Sequence, residues 1–277
     1  MNPNSITVAA VQLSSQADVG LNLADSERWV RRAADAGAKL IVLPENFAFF
    51  GPDVERLKLA EPLLASGSER APIQGTLSSW AKELGVTIVG GGMPIASGDP
   101  ERPYNTAVAF GPDGRLLDAY DKVHLFDVDL ADGTRLSESA HTKPGNAAKS
   151  VDVLGFRVGL SICYDVRFPE LYRRLVDQGS EVLLVPAAFT LHTGKDHWTP
   201  LLKARAIESQ SWLIAAAQWG THPGNRRCYG HSMVVDPWGA VVAECSDHTG
   251  IALASIDREY LKSVRAGLPS LKHRRLG

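Results

Sequence analysis

Three side chains capable of nucleophilic or acid–base chemistry stand directly after apolar stretches of this sequence. Glu45 follows LIVLP, Lys122 follows LLDAYD and Cys163 follows VGLSI. Amide hydrolysis needs a nucleophile, a proton acceptor that later protonates the leaving amine, and a positive or N–H-rich site for the oxyanion. Cysteine, glutamate and lysine can fill these roles, so the set predicts cysteine-dependent amide hydrolysis if the three side chains meet.

Each of the three residues also has an ordinary structural interpretation. Glu45 or Lys122 taken alone would usually be a solvated surface charge, and a single cysteine usually fills space in a core. The residues after Cys163, YDVRFPE, indicate a sharp turn from a strand into a helix. Because backbone N–H groups at such a turn favour the thiolate, we expect Cys163 to have a lowered pKa.

The segments around these residues alternate between strand and helix patterns. Residues 6–13 predict a strand, the following segment predicts a helix with Asn22 at its N-cap and Gly37 after its end, and residues 40–44 predict a buried strand. Helix and strand patterns recur in the same order further along, with GPDG and DPWG as the turns of two hairpins. This alternation predicts an α/β chain in which helices cover two packed, mixed sheets.

Composition narrows the classes of partner. The chain has 277 residues, 44% of them hydrophobic, and a formal net charge of −2, so no basic surface for nucleic acid is indicated. No apolar run reaches the roughly 18 residues of a membrane span, and the first residues do not resemble a signal peptide. We expect one cytoplasmic domain that acts on a small molecule, with no nucleic-acid or membrane partner.

Cysteine usage does not indicate a disulfide framework. Cys163, Cys228 and Cys245 are an odd number, are widely spaced and form no CxxC pair. At least one thiol is therefore expected to be free. Cys228 could lie near the mouth of a pocket, although a passive small residue is the simpler interpretation.

The motifs around the three residues resemble those of the nitrilase superfamily of carbon–nitrogen hydrolases. They read LPENFAF around Glu45, DKVHLFDVDL around Lys122 and GLSICYDVRFPELYR around Cys163, and the resemblance extends over nearly the whole chain. It implies a four-layer αββα sandwich made of two mixed sheets, with no cofactor and no metal. It also implies one domain over residues 1–277, with a core of about 6–256, and a homodimer whose interface includes the C-terminal tail.

The resemblance further implies a role for each catalytic residue. Glu45 would be the general base, Lys122 the cation that stabilises the oxyanion and Cys163 the nucleophile. Glu138, in LSES, corresponds to the second glutamate of the family, which positions the lysine and the substrate. The backbone N–H of Tyr164 would be a further oxyanion donor and would place this residue in the substrate site.

Substrate preference is also inferred from the resemblance, which is closest to the branch that includes deaminated-glutathione amidase and omega-amidase. The expected reaction converts deaminated glutathione to 2-oxoglutarate and cysteinylglycine; 2-oxoglutaramate, N-carbamoyl amino acids and aliphatic amides are the alternatives. Arg167 would bind the substrate carboxylate through its planar fork, unless it forms a salt bridge at the start of a helix. Phe189 and Thr193 would line the same pocket, and Lys195 and Asp196 depart from the family pattern.

Three other classes of function fit the residues less well. A Cys-His enzyme would use His231 as its base, which would leave Glu45 and Lys122 without a role. Metal hydrolysis would rest on His192 and His197, whose spacing of five misses the i, i+4 spacing of a zinc-binding helix. The GGG of VGGGMP lacks the spacing of a nucleotide-binding loop and predicts tight packing or a loop instead. A catalytically silent binding protein is the remaining alternative.

Overall fold

The computed structural model describes residues 4–64, 71–129 and 135–276. Sixteen strands occur within these ranges: β1 (Ser5–Gln12), β2 (Leu40–Val42), β3 (Thr87–Ile95), β4 (Tyr104–Phe110), β5 (Leu116–Asp121), β6 (Asp127–Asp129), β7 (Arg135–Ser137), β8 (Lys149–Val153), β9 (Phe156–Leu160), β10 (Val182–Leu184), β11 (Trp212–Ala215), β12 (Trp219–His222), β13 (Arg226–Tyr229), β14 (Met233–Val235), β15 (Val241–Glu244) and β16 (Gly250–Asp257).

Six α-helices accompany the strands in the described ranges. They are α1 (Val19–Asp35), α2 (Asp53–Leu57), α3 (Pro72–Leu84), α4 (Pro169–Asp177), α5 (Leu191–Ser209) and α6 (Arg258–Gly267). Short 3₁₀ helices cover Glu138–Ala140, Cys163–Arg167, Pro223–Asn225 and Ser270–His273. None of the described helices combines the length and the apolar character needed to cross a bilayer.

The strands form two six-stranded mixed sheets with the same pattern of pairing. The first has the order β16-β1-β2-β3-β4-β5, and the second has the order β15-β14-β11-β10-β9-β8. In each sheet three central strands run parallel and the outer strands pair antiparallel. The two hairpins predicted from GPDG and DPWG are β4–β5 and β14–β15.

The alternation of side chains along β1 shows how the layers are built. Val8 and Ala10 belong to the core that both sheets share, whereas Ala9 and Val11 pack with residues of α1 and α3. Since successive side chains of a strand point to opposite faces, a strand covered on both faces must be apolar throughout. The layers therefore follow the order helix, sheet, sheet, helix, and the predicted αββα class is confirmed.

Helix α1 begins earlier than its sequence pattern predicts. Its N-cap is Asp18, whose Oδ1 accepts the N–H of Leu21 at 2.9 Å. The prediction that Asn22 caps the helix was wrong, because Asn22 lies within it and its side chain bonds the backbone of Gln16 in the preceding loop. Gly37, with φ of +91°, follows the end of the helix as predicted.

The C-terminal residues pack along the helical side of the second sheet. The guanidinium of Arg265 donates to the carbonyl oxygens of Gln210 at 2.9 Å and Ser180 at 3.0 Å. Further on, Arg274 forms an ion pair with Asp177 at 2.8 Å. The segment after β16 is thus anchored to its own chain.

Candidate active site

Glu45 lies on the loop that follows β2, and its carboxylate is buried. Its Oε1 accepts hydrogen bonds from Lys122 Nζ and from Asn105 Nδ2, both at 2.9 Å. Its Oε2 accepts the backbone N–H of Ala188 at 2.9 Å. The carbonyl oxygen of Glu45 accepts a bond from the side chain of Gln218 at 3.0 Å, so both its backbone and its side chain are fixed.

The two sheets approach closely beside Glu45 because β3 carries glycine there. A Cβ on Gly91 would lie 2.0 Å from the carbonyl oxygen of Leu43 and 2.2 Å from Cβ of Pro186, which belongs to the loop after β10. Gly92 has a φ of +131°, and a Cβ there would lie 3.1 Å from Cγ of Glu45. The GGG segment serves close packing, as its spacing predicted.

Lys122 directly follows β5 and is almost completely buried. Its Nζ donates to Glu45 at 2.9 Å and to the two carboxylate oxygens of Glu138 at 2.8 and 3.1 Å. Burial alone would lower the pKa of this ammonium, but the carboxylates of Glu138 and Glu45 outweigh burial and raise the pKa above its ordinary value. Lys122 therefore stays positively charged although it is buried.

Glu138 opens the 3₁₀ helix that follows β7, and it is the second carboxylate that binds Lys122. Its Oε2 accepts the N–H of Phe126 at 2.7 Å, and its Oε1 accepts Nδ2 of Asn105 at 3.1 Å. Burial opposes ionisation of this carboxyl, but Lys122 and these hydrogen bonds hold its pKa below the ordinary value. Glu138 thus remains a carboxylate beside the lysine.

Cys163 begins the 3₁₀ helix after β9, in a backbone conformation that few residues other than glycine adopt. Its φ is +50°, a strained value that costs about 1–3 kcal/mol, and its N–H donates to Pro186 at 2.8 Å. Burial raises the pKa of the Cys163 thiol, the nearby Glu45 carboxylate raises it further, and Lys122 only partly offsets them. The expectation of a lowered thiol pKa was therefore wrong, since burial and an adjacent anion outweigh the helix start.

A buried carboxylate ties the turn at Cys163 to the segment that carries Lys122. Asp165 accepts hydrogen bonds from the N–H of Ile162 at 2.8 Å and from the hydroxyl of Tyr120 at 2.7 Å. Its other oxygen meets the backbone N–H and the Nδ1 of His124 at 3.0 and 2.7 Å. The residues on either side of Lys122 are thereby connected to the nucleophile turn.

The four predicted catalytic residues line one cavity of about 740 Å³. The carboxylate of Glu45 lies near enough to the Cys163 thiol to raise its pKa, and it hydrogen-bonds to Lys122. Three strand ends from two sheets thus bring a sulfur, a carboxylate and an ammonium together, as their positions in the sequence predicted. Such a set can form and break an acyl bond to sulfur while it moves one proton.

The residues predicted to bind substrate are not among the described residues that line this cavity. Phe189 packs on Trp198 with 5.0 Å between ring centroids, and the hydroxyl of Thr193 bonds that of Thr190 at 2.8 Å. Arg167 lies over Phe189, 5.1 Å from the ring centroid.

The guanidinium of Arg167 has a second neighbour, Nδ1 of His197, at 3.3 Å from Nη1. Tyr164 packs its ring against Phe126 with 4.9 Å between centroids, and its backbone N–H follows Cys163 directly in the chain. The binding roles of these two residues remain predictions.

Lys195 and Cys228, which the sequence singled out as departures, both line the cavity. Cys228 is nevertheless buried, and burial raises the pKa of its thiol well above the ordinary value. The role of Cys228 in this wall remains a prediction.

Three groups in the cavity were missed from the sequence: Asn105, the backbone N–H of Ala188 and Arg56. Asn105 donates to both Glu45 and Glu138. An amide in the otherwise apolar strand YNTAVAF was the available signal, because a polar side chain in a buried strand requires a partner. Nothing in the local sequence distinguishes Ala188 from its neighbours, and Arg56 resembles a surface charge of α2.

The competing interpretations receive no support from these positions. His231 bonds Glu244 at 2.7 Å and Asp247 at 3.3 Å, and it is not among the described residues of the cavity. Within the described ranges, no group of three or more His, Cys, Asp or Glu side chains is arranged to hold a metal ion.

Comparison with known proteins agrees with this geometry. The carbon–nitrogen hydrolase family model matches residues 7–266. A deaminated glutathione amidase of Synechocystis sp. (strain PCC 6803 / GT-S) is 46% identical over 270 residues, which are 96% of this chain and 97% of that protein. This chain therefore belongs to the carbon–nitrogen hydrolase family, and the predictions of the nitrilase superfamily and of a carbon–nitrogen hydrolase are confirmed.

Two solved structures share the fold. Nit3 of Saccharomyces cerevisiae, a member of branch 10 of the nitrilase superfamily, has a TM-score of 0.88 at 32% identity, covering 99% of this chain and 97% of that one. An amidase from Nesterenkonia sp. AN1, in a variant with glutamine in place of a glutamate, has a TM-score of 0.78 at 27% identity. It covers 96% of this chain and 99% of that one, and it shows Michael addition of acrylamide at the active-site cysteine.

Proposed function

We propose that this protein hydrolyses an amide through a thioester on Cys163. The observation that carries the proposal is the buried cluster in which the Glu45 carboxylate hydrogen-bonds to the Lys122 ammonium and lines one cavity with Cys163. The cysteine adduct in the Nesterenkonia amidase supports a nucleophilic cysteine in this fold.

The first half of the reaction forms the thioester. Glu45 accepts the thiol proton as Sγ of Cys163 attacks the amide carbon, because the raised pKa of the thiol disfavours a free thiolate. The charge that develops on the carbonyl oxygen is stabilised by Lys122 and by the backbone N–H of Tyr164. The C–N bond then breaks, and Glu45 returns the proton to the departing amine.

The second half releases the acid. Glu45 removes a proton from water, which attacks the thioester carbon, and Lys122 again stabilises the oxyanion. The C–S bond breaks and Sγ takes the proton back from Glu45. Glu138 retains its contacts with Lys122 throughout, so the cation keeps a counter-charge when Glu45 is protonated.

We propose deaminated glutathione as the substrate, cleaved to 2-oxoglutarate and cysteinylglycine. The name of the Synechocystis relative supports this choice. The charge of the cavity supports it as well, because the described lining contains six Lys or Arg side chains and three Asp or Glu side chains, although the chain as a whole is negative. A cationic pocket attracts a substrate with two carboxylates.

A product assay with purified protein tests the proposal. Deaminated glutathione, 2-oxoglutaramate and an N-carbamoyl amino acid are compared by kcat/KM, with Cys163→Ala as the inactive control. Preference for deaminated glutathione is expected. A preference for 2-oxoglutaramate or the carbamoyl compound would replace the substrate and keep the mechanism, whereas full activity of Cys163→Ala would refute the mechanism itself.

We further propose that the chain acts as a homodimer of single-domain subunits, 1–277, in the cytoplasm. Apolar residues exposed near the C-terminal helices, Trp238, Leu268 and Leu276, support an interface that includes the C-terminal tail. Three cysteines, all free, support a reducing compartment. Light scattering on a size-exclusion column should give twice the mass of the 29.8 kDa chain, and a monomer at micromolar concentration would contradict the dimer.

A further inference from the structure

Arg56 is a buried arginine of α2 that the proposed chemistry does not use. It lines the catalytic cavity, and 8% of its surface is exposed. Its Nη1 donates to the hydroxyl of Thr142 at 3.3 Å, but its buried Nη2 has no hydrogen-bond partner among the described residues. The guanidinium thus has unused donor capacity at the wall of the cavity.

The positive charge of Arg56 is unfavourable in this buried position. Burial lowers the pKa of Arg56, although the carboxylates of Glu138 and Glu45 act in the opposite direction, so the guanidinium is incompletely compensated. A buried charge without full hydrogen bonding destabilises a fold unless a partner is supplied. A bound anion would supply that partner.

A second guanidinium lies at the same end of the cavity. Arg226 also lines it, and its positive charge contributes to lowering the pKa of Arg56. Its closest carboxylate among the described residues, Asp53, is at 3.7 Å, a loose ion pair. Its guanidinium also lies 5.9 Å from the ring centroid of Phe50. Two cations that repel each other across this end of the cavity would both be stabilised by one anion.

We propose that Arg56, with Arg226 beside it, binds a carboxylate of the substrate. The inference rests on the proposed amidase function and extends it by assigning a carboxylate subsite to α2. Two parallel N–H donors of a guanidinium match the two oxygens of a carboxylate, and Nη2 then gains the acceptor that it lacks. This subsite is separate from Arg167, whose guanidinium contacts His197 and the ring of Phe189.

The test compares substrates that differ in one carboxylate. Arg56→Gln is assayed on 2-oxoglutaramate and on 4-oxopentanamide, which has the same chain but no carboxylate. We expect KM to rise about 10- to 100-fold for each substrate whose carboxylate Arg56 binds, as for a lost charge-assisted hydrogen bond. We expect kcat/KM for 4-oxopentanamide to change by less than about 3-fold. Equal losses of kcat/KM on 2-oxoglutaramate and 4-oxopentanamide would overturn the proposal. An unchanged KM for both 2-oxoglutaramate and deaminated glutathione, the two substrates that carry a carboxylate, would also overturn it.

Deaminated glutathione locates the carboxylate, because it carries one on the acyl side and one on the leaving group. If Arg56→Gln raises KM for deaminated glutathione and for 2-oxoglutaramate alike, Arg56 binds the acyl-side carboxylate. If it raises KM only for deaminated glutathione, Arg56 binds the carboxylate of the leaving group. Arg115→Gln, at a side chain that is 87% exposed, is the matched control and should leave kcat/KM for all substrates unchanged.

A binding measurement separates this inference from the reaction itself. Calorimetry of 2-oxoglutarate and of cysteinylglycine with Cys163→Ala, with and without Arg56→Gln, reports carboxylate binding in the absence of turnover. Weaker binding of one product in the double variant supports the subsite even if the wild type prefers another amide, and unchanged binding of both products overturns it. Arg56→Lys keeps the positive charge but not the planar fork, and it replaces Arg56→Gln if that variant does not fold. The lysine variant should then bind the product more weakly than the wild-type residue does. Product binding equal to that with Arg56 present would refute the inference.

Discussion

Replacing Glu45 with glutamine should separate the acidity of Cys163 from catalytic turnover. Burial raises the pKa of the Cys163 thiol, the nearby carboxylate of Glu45 raises it further, and Lys122 lowers it. Glutamine keeps the shape but removes the negative charge. The thiol pKa should therefore fall in Glu45→Gln, although the variant loses the group that carries the proton.

The sizes of the two effects follow from the contacts of Glu45. A glutamine oxygen can still accept from Lys122 and Asn105, but its NH₂ group would face the N–H of Ala188, which now meets Oε2 at 2.9 Å. One buried donor without an acceptor costs about 1–3 kcal/mol of stability. Loss of a general base should lower kcat by about 10²–10⁴, or about 2.7–5.4 kcal/mol in the barrier. Lys122 keeps Glu138, so the variant should fold.

Two assays on the same preparation measure these effects. Thiolate absorbance near 240 nm is titrated against pH, with Cys163→Ala as the blank, and kcat is measured in parallel on the preferred amide. A thiol pKa equal to or above that of the wild type would show that Glu45 does not act on the sulfur. Near-wild-type kcat would refute its role as the base, whatever the pKa.

Two further changes test the parts that position the cluster. Asn105→Ala removes a hydrogen bond that helps to hold the pKa of Glu138 down. The acid limb of the pH–rate profile should therefore move to higher pH, and kcat should fall about 10-fold or more. An unchanged limb would exclude this positioning role. Gly91→Ala forces a Cβ within 2.0 Å of the carbonyl oxygen of Leu43, which should cost about 1–3 kcal/mol in thermal unfolding and reduce activity. The control is Gly75→Ala in helix α3, where the Cβ position faces open space. This substitution should be neutral or stabilise the protein by up to about 1 kcal/mol. Equal melting temperatures of the two variants would contradict the packing argument.

The proximity of Glu45, Lys122 and Cys163 was predictable because of where these residues lie along the chain. Glu45, Lys122 and Cys163 follow strands, and the ends of strands in packed sheets collect polar groups at one edge. Their types then limit the chemistry to few reactions. The apolar alternation likewise predicted the two sheets and their helical layers, since burial on both faces requires apolar strands.

The properties that failed prediction depend on atoms contributed from elsewhere in the fold. The acidity of Cys163 was predicted from its own turn, but it is decided by burial and by a carboxylate 118 positions earlier in the chain. Asn22 was predicted as a helix cap from its residue type, but its side chain instead forms a hydrogen bond with the preceding loop. Arg56 has the sequence context of a surface residue, and only the surrounding elements enclose it.

The pairing of one lysine with two carboxylates explains why the site needs both. With a single carboxylate beside Lys122, protonation of that carboxylate by the thiol would leave the developing oxyanion as the only counter-charge of the buried ammonium. Because Glu138 contacts Nζ through both oxygens at 2.8 and 3.1 Å, Glu45 is free to become neutral in the proposed mechanism while Lys122 keeps its charge. Asn105 binds both carboxylates and fixes their separation. The negative charge that leaves Glu45 on protonation is then replaced by the oxyanion, so the charge around Lys122 stays constant through the reaction.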